Sequence, residues 1–326
     1  MKILVTGGAG FIGSHVTDRY TAAGHRVVVV DNLTTGKMEN LNPKARFYQS
    51  DIRDQGMEEI FAREQPDVVN HHAAQIDVRK SVQDPVFDAT INILGMLNLL
   101  EKAVRHGVNR FIFASSGGAI YGDQPENADP ASEEIPLQPI SPYGVAKATG
   151  ELYLHYYKVV HGLDYVALRY GNVYGPRQDP FGEAGVVAIF TEKLLADGQA
   201  IINGDGLQTR DYVYVEDVAE ANLLALHSKA SGSFNIGTGE EKNVNELFWC
   251  LLQIMGKSAQ EAHGPAKPGE QRRSVLNCTR AQTGLGWKAK VSFEEGLRRT
   301  VEYFKEFSPQ SAQRFPAFSA CSAVKE

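Results

Sequence analysis

Long apolar runs are missing from this chain of 326 residues. No stretch approaches the ~20 apolar residues that a membrane-crossing helix needs, which excludes that class. Cysteine is scarce. Cys250, Cys278 and Cys321 are odd in number and far apart, which speaks against a disulfide framework or a cysteine metal site and for reduced thiols in a cytoplasmic protein. A basic excess is also absent: 33 Lys and Arg against 39 Asp and Glu leave a net charge of −6, which argues against a nucleic-acid or anionic-membrane partner. No internal repeat or low-complexity block is visible. The opening "MKILVTGGAG" enters a strand at once, where a leader peptide would show a longer apolar stretch followed by small residues. The composition is that of an ordinary globular protein, long enough for one large or two modest domains with a real core.

The first half alternates β-rich runs with amphipathic stretches. Strands are expected at 2–6, 26–31, 45–51, 66–74, 110–116 and 164–170, with helices at 11–23, 54–64, 84–106 and 143–161 between them. That alternation reads as βαβ units and a parallel sheet, so the expected class is α/β, a Rossmann-type doubly wound sheet. After Tyr170 the Gly- and Pro-rich stretch 170–185 reads as a long loop of the kind that carries function. Helices at 186–197, 216–228, 243–256 and 293–307 and short strands at 200–203, 211–215 and 233–236 follow. The expected division is a dinucleotide-binding domain over 1–170, to which part of 207–236 returns, a smaller α/β substrate domain over 171–308, and a mobile tail over 309–326.

"KILVTGGAGFIGSHV" sets glycines between a strand and a helix; from Gly8 the spacing is G-x-G-x-x-G, through Gly10 to Gly13. Glycine there permits a tight turn, close approach of backbone N–H groups to a pyrophosphate, and close helix–strand packing. Asp31 ends the second strand, 18 residues past Gly13. Its carboxylate suits the two ribose hydroxyls of NAD and repels the 2′-phosphate of NADP. The competing reading is a glycine turn with no ligand. Asp51 and Ile52 follow the third strand, either flanking an adenine or with Asp51 as a helix N-cap.

In "ISPYGVAKATGELYL" Ser141 and Pro142 read as an N-cap and first helical residue, which puts Tyr143 and Lys147 one turn apart on one face. A phenol with a pKa near 10 is a poor base at neutral pH. A neighbouring ammonium and a cationic nicotinamide favour its phenolate. Alone, the pair is equally an amphipathic surface.

With "TGGAGFIGSH", "VDNL", "HHAAQ", "NILGM", "SSGGAIYG", "SPYGVAK", "LRYGNVYGPRQDP", "GDGLQTRDYVYVEDVAEA", "FNIGTG", "KPGEQRRSVL" and "LGW" in place, the chain resembles the extended short-chain dehydrogenase/reductases, and among them the NDP-sugar 4-epimerases of the UDP-glucose/galactose type. The resemblance implies NAD lined by Gly7, Gly10, Phe11, Ile12 and Gly13, with Asp31 and Asn32 on the adenosine ribose and Asp51 and Ile52 at the adenine. It implies Ala73, Ala74 and Gln75 beside the cofactor, Asn92 ordering the active site, and Tyr170 near the nicotinamide. Tyr143 is the implied acid/base and Lys147 its electrostatic partner. Asn172, Arg210, Glu270 and Arg272 are the implied substrate ligands. Bland readings stand beside these: Asn92 satisfying a helix carbonyl, Asn172 capping a turn, Arg210 pairing only with Asp211 or Glu216, and His71 and His72 serving packing rather than a metal.

Some positions depart from the family pattern. Gly117 stands where a Ser or Thr is usual, leaving Ser115 or Ser116 as the nearest hydroxyl; Ser116 is taken as the replacement. The Asp-Glu pair of the 4,6-dehydratases is missing from "SSGGAI", and Asn203 replaces a common aromatic. Ser274 occupies the position facing the sugar C2 substituent, and its small side chain leaves room for an N-acetyl group. The implied activity is reversible C4 epimerisation of a UDP-hexose in galactose metabolism, by a homodimer built on helices 84–106 and 143–161. A UDP-uronate epimerase or decarboxylase, or a non-catalytic NAD-binding regulator, remain the alternatives.

Overall fold

The structure, a computed structural model, describes residues 1–181, 185–267 and 271–307. Glu270 and the expected tail over 309–326 therefore lie outside the described residues. Six strands form in the first half: β1 (Lys2–Thr6), β2 (Arg26–Asp31), β3 (Arg46–Gln49), β4 (Val68–His71), β5 (Arg110–Ser116) and β6 (Asp164–Tyr170). Together with Gly232–Ile236 they make one seven-stranded parallel sheet in the order β3-β2-β1-β4-β5-β6-(232–236). The order reverses between β1 and β4, the switch point where such sheets bind ligands at the carboxyl ends of the strands.

These strands read as unbroken apolar runs because both faces are covered. Alternation then sorts the residues into two layers. Ile3, Val5, Val27 and Val29 join Val16 and Tyr20 of helix Phe11–Ala22 and Val218 and Ala221 of helix Val215–His227. Leu4, Val30, Val69, Phe111 and Phe113 join helices Met57–Glu64, Met96–Arg105 and Pro142–His161 on the other face. A third cluster, including Val187, Phe190, Leu247, Phe248, Leu297 and Val301, builds the C-terminal lobe from helices Val186–Leu195, Val244–Met255 and Phe293–Phe307.

Two expectations are corrected. The span 84–106 is not one regular helix: Pro85–Ala89 is followed by a π-helical turn over Thr90–Gly95 before Met96–Arg105 resumes. Within it Asn92 is buried and reaches out of the helix to Gln75, and Gly95 leaves no room for a Cβ beside Ile52. Such π turns recur at functional sites. The stretch after Tyr170 is not wholly loop either, because Asn172–Tyr174 pairs in parallel with Tyr212–Tyr214.

Candidate active site

The site forms where β1, β2, β4, β5 and β6 end. Gly7 turns with φ +71°, in the left-handed region open to glycine. Helix Phe11–Ala22 begins on Gly10 with no side-chain cap and no acidic residue in its first turn. Its N–H groups at Phe11, Ile12 and Gly13 are thus left for an anion. Asp31 is buried and fixes the turn: Oδ2 accepts from Ala9 N at 3.0 Å and Oδ1 from Leu33 N at 2.8 Å. A carboxylate offers about four lone-pair sites, so capacity for a ribose diol remains. The glycine turn, the open helix end and Asp31 fit an NAD dinucleotide.

The remaining implied cofactor residues are placed unequally. Asn32 donates to Asp51 Oδ2 at 2.9 Å. Asp51 caps no helix, since Met57–Glu64 starts on Gly56. Its carboxylate pairs with Arg53 at 2.8 Å, and Arg53 holds it well below the usual carboxylate range. Ile52 is buried beside Gly95. Ala73 approaches the first turn, its N–H 3.3 Å from Thr6 Oγ1, and Ala74 follows it. Gln75 is turned inward: its backbone exchanges two 2.9 Å bonds with the Asn92 amide, and its Nε2 donates to Asp88. Tyr170 stacks on His72, and its hydroxyl sits 3.1 Å from His72 Nε2 and 2.8 Å from Asn222 Nδ2. His71 packs on Phe113 and bonds Thr6, so both histidines serve packing and hydrogen bonding.

Helix Pro142–His161 carries the acid–base pair. Ser141 caps it through Gly144 N at 3.1 Å, Pro142 takes the first position, and Ser81 Oγ accepts from Tyr143 N at 3.2 Å. Ser116 lies near the Tyr143 phenol and favours its ionisation. Lys147 Nζ donates to Ala114 O at 2.7 Å and stands 5.6 Å from the centre of the Tyr143 ring. Along β5 the two serines separate by alternation: Ser116 meets Tyr143, while Ser115 donates to Glu151 at 2.5 Å. At Gly117 a Cβ would lie 2.6 Å from Leu276 Cδ1 and 3.1 Å from Arg169 O, so a serine there would require Leu276 to shift. The expected lowering of the phenol is the joint work of Lys147 and a cationic nicotinamide, and the protein alone pushes the other way. Burial pushes Tyr143 up to about 12, against the pull of Ser116. Burial also pushes the Lys147 ammonium down to about 8.

On the substrate side, a small sheet of Thr209–Arg210, Lys242–Asn243 and Arg273–Ser274 sets Arg210 beside Ser274. Asp211 does not pair with Arg210 but accepts from Thr238, Gly239 and Leu276. Glu216 is engaged with Arg299. Arg272 is clamped by Asp205 through bonds of 2.7 and 2.9 Å. Gly118 lies between Asn172 and Ser274: a Cβ there would be 3.5 Å from Asn172 Oδ1 and 4.0 Å from Ser274 Oγ. These three therefore converge next to Ser116.

Sequence reasoning missed a second layer. Glu151 and Arg169 form a buried ion pair with bonds of 2.6 to 3.1 Å, tied to Ser115 and Ser233. Its signal was available, because Glu151 sits one turn beyond Lys147 on the same helix. Asp88 also went unread, though it stands four residues before Asn92 and accepts from it at 2.9 Å.

A parallel sheet with a glycine turn at its first strand and a half-buried Tyr143 backed by the buried Lys147 at the ends of β4 to β6 defines a dinucleotide-dependent enzyme that moves hydrogen at an alcohol carbon. The chain belongs to the NAD dependent epimerase/dehydratase family, which matches residues 3–237. It is 46% identical to the UDP-glucose 4-epimerase of Mycolicibacterium smegmatis over 94% of this chain and 100% of that one. Among solved structures, the UDP-glucose 4-epimerase of Thermotoga maritima with UDP-glucose superposes with a TM-score of 0.92 at 53% identity, covering 94% of this chain and 99% of that one. The Thermus thermophilus UDP-glucose 4-epimerase, in complex with NAD, gives 0.89 at 48% identity, again covering 94% and 99%. No helix among the described residues is long and apolar enough to cross a membrane.

Proposed function

We propose that the chain is an NAD-dependent epimerase that inverts C4 of a UDP-hexose, interconverting UDP-glucose and UDP-galactose. The observation that carries this reading is the Lys147 ammonium 5.6 Å from the centre of the Tyr143 ring, with Ser116 beside the phenol and a glycine turn fit for the dinucleotide. Bound NAD supplies a reversible acceptor for the C4 hydrogen with its electron pair and a positive ring charge near the phenol. Tyr143 takes the proton of the C4 hydroxyl and returns it. Ser116, beside the phenol, hydrogen-bonds the C4 oxygen and orients it. Lys147 supplies positive charge to the phenolate. The 4-keto sugar must turn over before the hydrogen returns to the opposite face. That requires a firm hold on the nucleotide and a loose hold on the hexose.

The same reading assigns the hold to Arg210, Arg272 and Glu270, and the loose wall to Gly118, Asn172 and Ser274, within a substrate lobe over 171–308. Arg272 is available for a diphosphate because its partner Asp205 is exposed, and such pairs are solvent-screened and weak. Ser274 is small, so N-acetylated UDP-hexoses fit as well. Mixing purified protein separately with UDP-galactose, UDP-N-acetylglucosamine and UDP-glucuronate, followed by NMR, should give the C4 epimers of the first two. Release of carbon dioxide or free NADH would contradict the epimerase. Ser274→Tyr should lose the N-acetyl substrate and keep the plain one; unchanged turnover of both would remove Ser274 from this role.

The enzyme acts in the cytoplasm, where Cys250 and Cys278, both unpaired, stay reduced. It acts as a homodimer. Val86, Leu94, Val145, Leu152 and Val159 are all 48% exposed or more along helices Pro85–Ala89 and Pro142–His161 and the turn between Thr90 and Gly95, an apolar surface that a second copy would cover. Sedimentation at micromolar concentration should give twice the chain mass, and a monomer would refute the assignment.

A further inference from the structure

One buried carboxylate has no part in the chemistry described so far. Asp88, on helix Pro85–Ala89, is 1% exposed. Its Oδ1 accepts from Gln75 Nε2 and Asn92 Nδ2, both at 2.9 Å, while its Oδ2 makes no hydrogen bond among the described residues. A carboxylate this deep needs a compensating positive charge. Helix Pro85–Ala89 packs against helix Pro142–His161; burial pushes the Asp88 carboxyl up while the Lys147 ammonium pulls it back, and Asp88 in turn raises both Lys147 and Tyr143.

The other titratable groups that face Lys147 are already spoken for. Glu151, on its own helix, gives both oxygens to Arg169 and bonds Ser115 and Ser233 as well. His71 and His72, on β4, are held neutral by burial. Tyr143 is neutral until it accepts its negative charge. That leaves Asp88 as the carboxylate with an unbonded oxygen and no cation of its own.

We propose that Asp88 is a positioning residue of the acid–base site: its negative charge keeps Lys147 cationic, and its hydrogen bonds through Gln75 and Asn92 lock the segment after β4 to the same point. One carboxylate thereby couples the cofactor-side loop to the Tyr143–Lys147 pair. The charge has a price for the base. The negative charge that holds the proton on Lys147 also resists ionisation of Tyr143, so Asp88 sets the pH window of the pair rather than simply activating it. The proposal rests on Tyr143 and Lys147 being the acid–base pair of the epimerase.

Asp88→Asn tests it, because asparagine keeps the shape and the Oδ1 acceptor and removes only the charge. In the NAD-loaded enzyme, the kcat–pH profile should move to lower pH on both limbs by about one unit. The acid limb moves because the phenol ionises more easily without a negative neighbour. The alkaline limb moves because Lys147 loses its proton more easily. The tyrosinate absorbance, taken as the difference from a Tyr143→Phe background, should shift in the same direction without any turnover being measured. A lower kcat with both limbs and the titration unmoved would make Asp88 a packing residue and overturn the proposal. If Asp88→Asn does not fold, judged by its melting curve, Asp88→Ser removes the charge from a smaller side chain and must show the same two shifts. A wild type without epimerase activity would sink the functional reading and leave the tyrosinate titration to decide Asp88.

Discussion

Tyr143→Phe should lower kcat by at least ~10²-fold, while the purified protein retains as much NAD as the wild type. The variant keeps the ring that packs at the start of helix Pro142–His161 and deletes the oxygen beside Ser116. The glycine turn and Asp31, which form the dinucleotide seat, are untouched. Burial pushes the phenol up to about 12 in the protein alone. Near neutral pH it is therefore protonated until positive charge gathers around it, and no other described side chain at this point is a ready base. His72 is buried and pushed down to about 3, with Nε2 committed to Tyr170. Glu151 is bound to Arg169. Ser116→Ala should have the smaller effect, since it removes a neighbouring hydroxyl and leaves the base. Turnover of Tyr143→Phe within a few-fold of wild type would remove the phenol from the chemistry. Loss of NAD would show that the hydroxyl was instead holding the cofactor.

The sheet could be read from the sequence because a parallel strand covered on both faces has a signature of its own, as in "KILVT" and "RVVVVD". Helix Pro142–His161 was equally legible, with Ser141 and Pro142 at its start and Gly162, at φ +72°, at its end. The π turn at Thr90–Gly95 was not, because its cause is tertiary: Asn92 must meet the backbone of Gln75, 17 residues away. The strands Lys242–Asn243 and Arg273–Ser274 are two residues long and pair with Thr209–Arg210 far along the chain, so no local period announces them. The candidate site divides in the same way. Gly13, Asp31, Tyr143 and Lys147 sit in local motifs whose chemistry is legible. The partners that tune them are less so: Glu151 is one turn from Lys147 on its own helix, but Asp88 and Arg169 become neighbours of the pair only when helix Pro85–Ala89 and β6 close around it. A helix spacing predicts the nearby ammonium but not the burial that raises the phenol in the protein alone.

Gly13→Ala should yield protein without bound NAD and without measurable epimerase activity, with a melting temperature below wild type. Intrinsic propensity predicts the opposite sign, because alanine is a better helix former than glycine by about 1 kcal/mol. Here a Cβ would lie 2.2 Å from Gly7 O, 2.8 Å from its carbonyl carbon and 3.1 Å from Gly8 Cα. All three obstructing atoms are backbone, so no rotamer relieves the contact. The turn cannot retreat either, because Gly7 is itself so close to the segment after β4 that a Cβ on it would be 2.6 Å from Ala73 N. The start of helix Phe11–Ala22 must move instead, and with it the N–H groups that would receive the pyrophosphate. Overpacking of this kind costs typically 1–3 kcal/mol, so the fold should survive while the anion seat is lost. Gly24→Ala is the contrasting control: Gly24 has a positive φ, +83°, which Gly13 lacks, but nothing within 4 Å obstructs a Cβ, so it should lose a little stability and keep its NAD. Cofactor released on acid treatment and a thermal melt decide between them. A Gly13→Ala protein that keeps a full complement of NAD and melts with the wild type would mean that the close helix–turn contact does not position the dinucleotide. The seat would then have to be sought at Asp31 and the segment after β4.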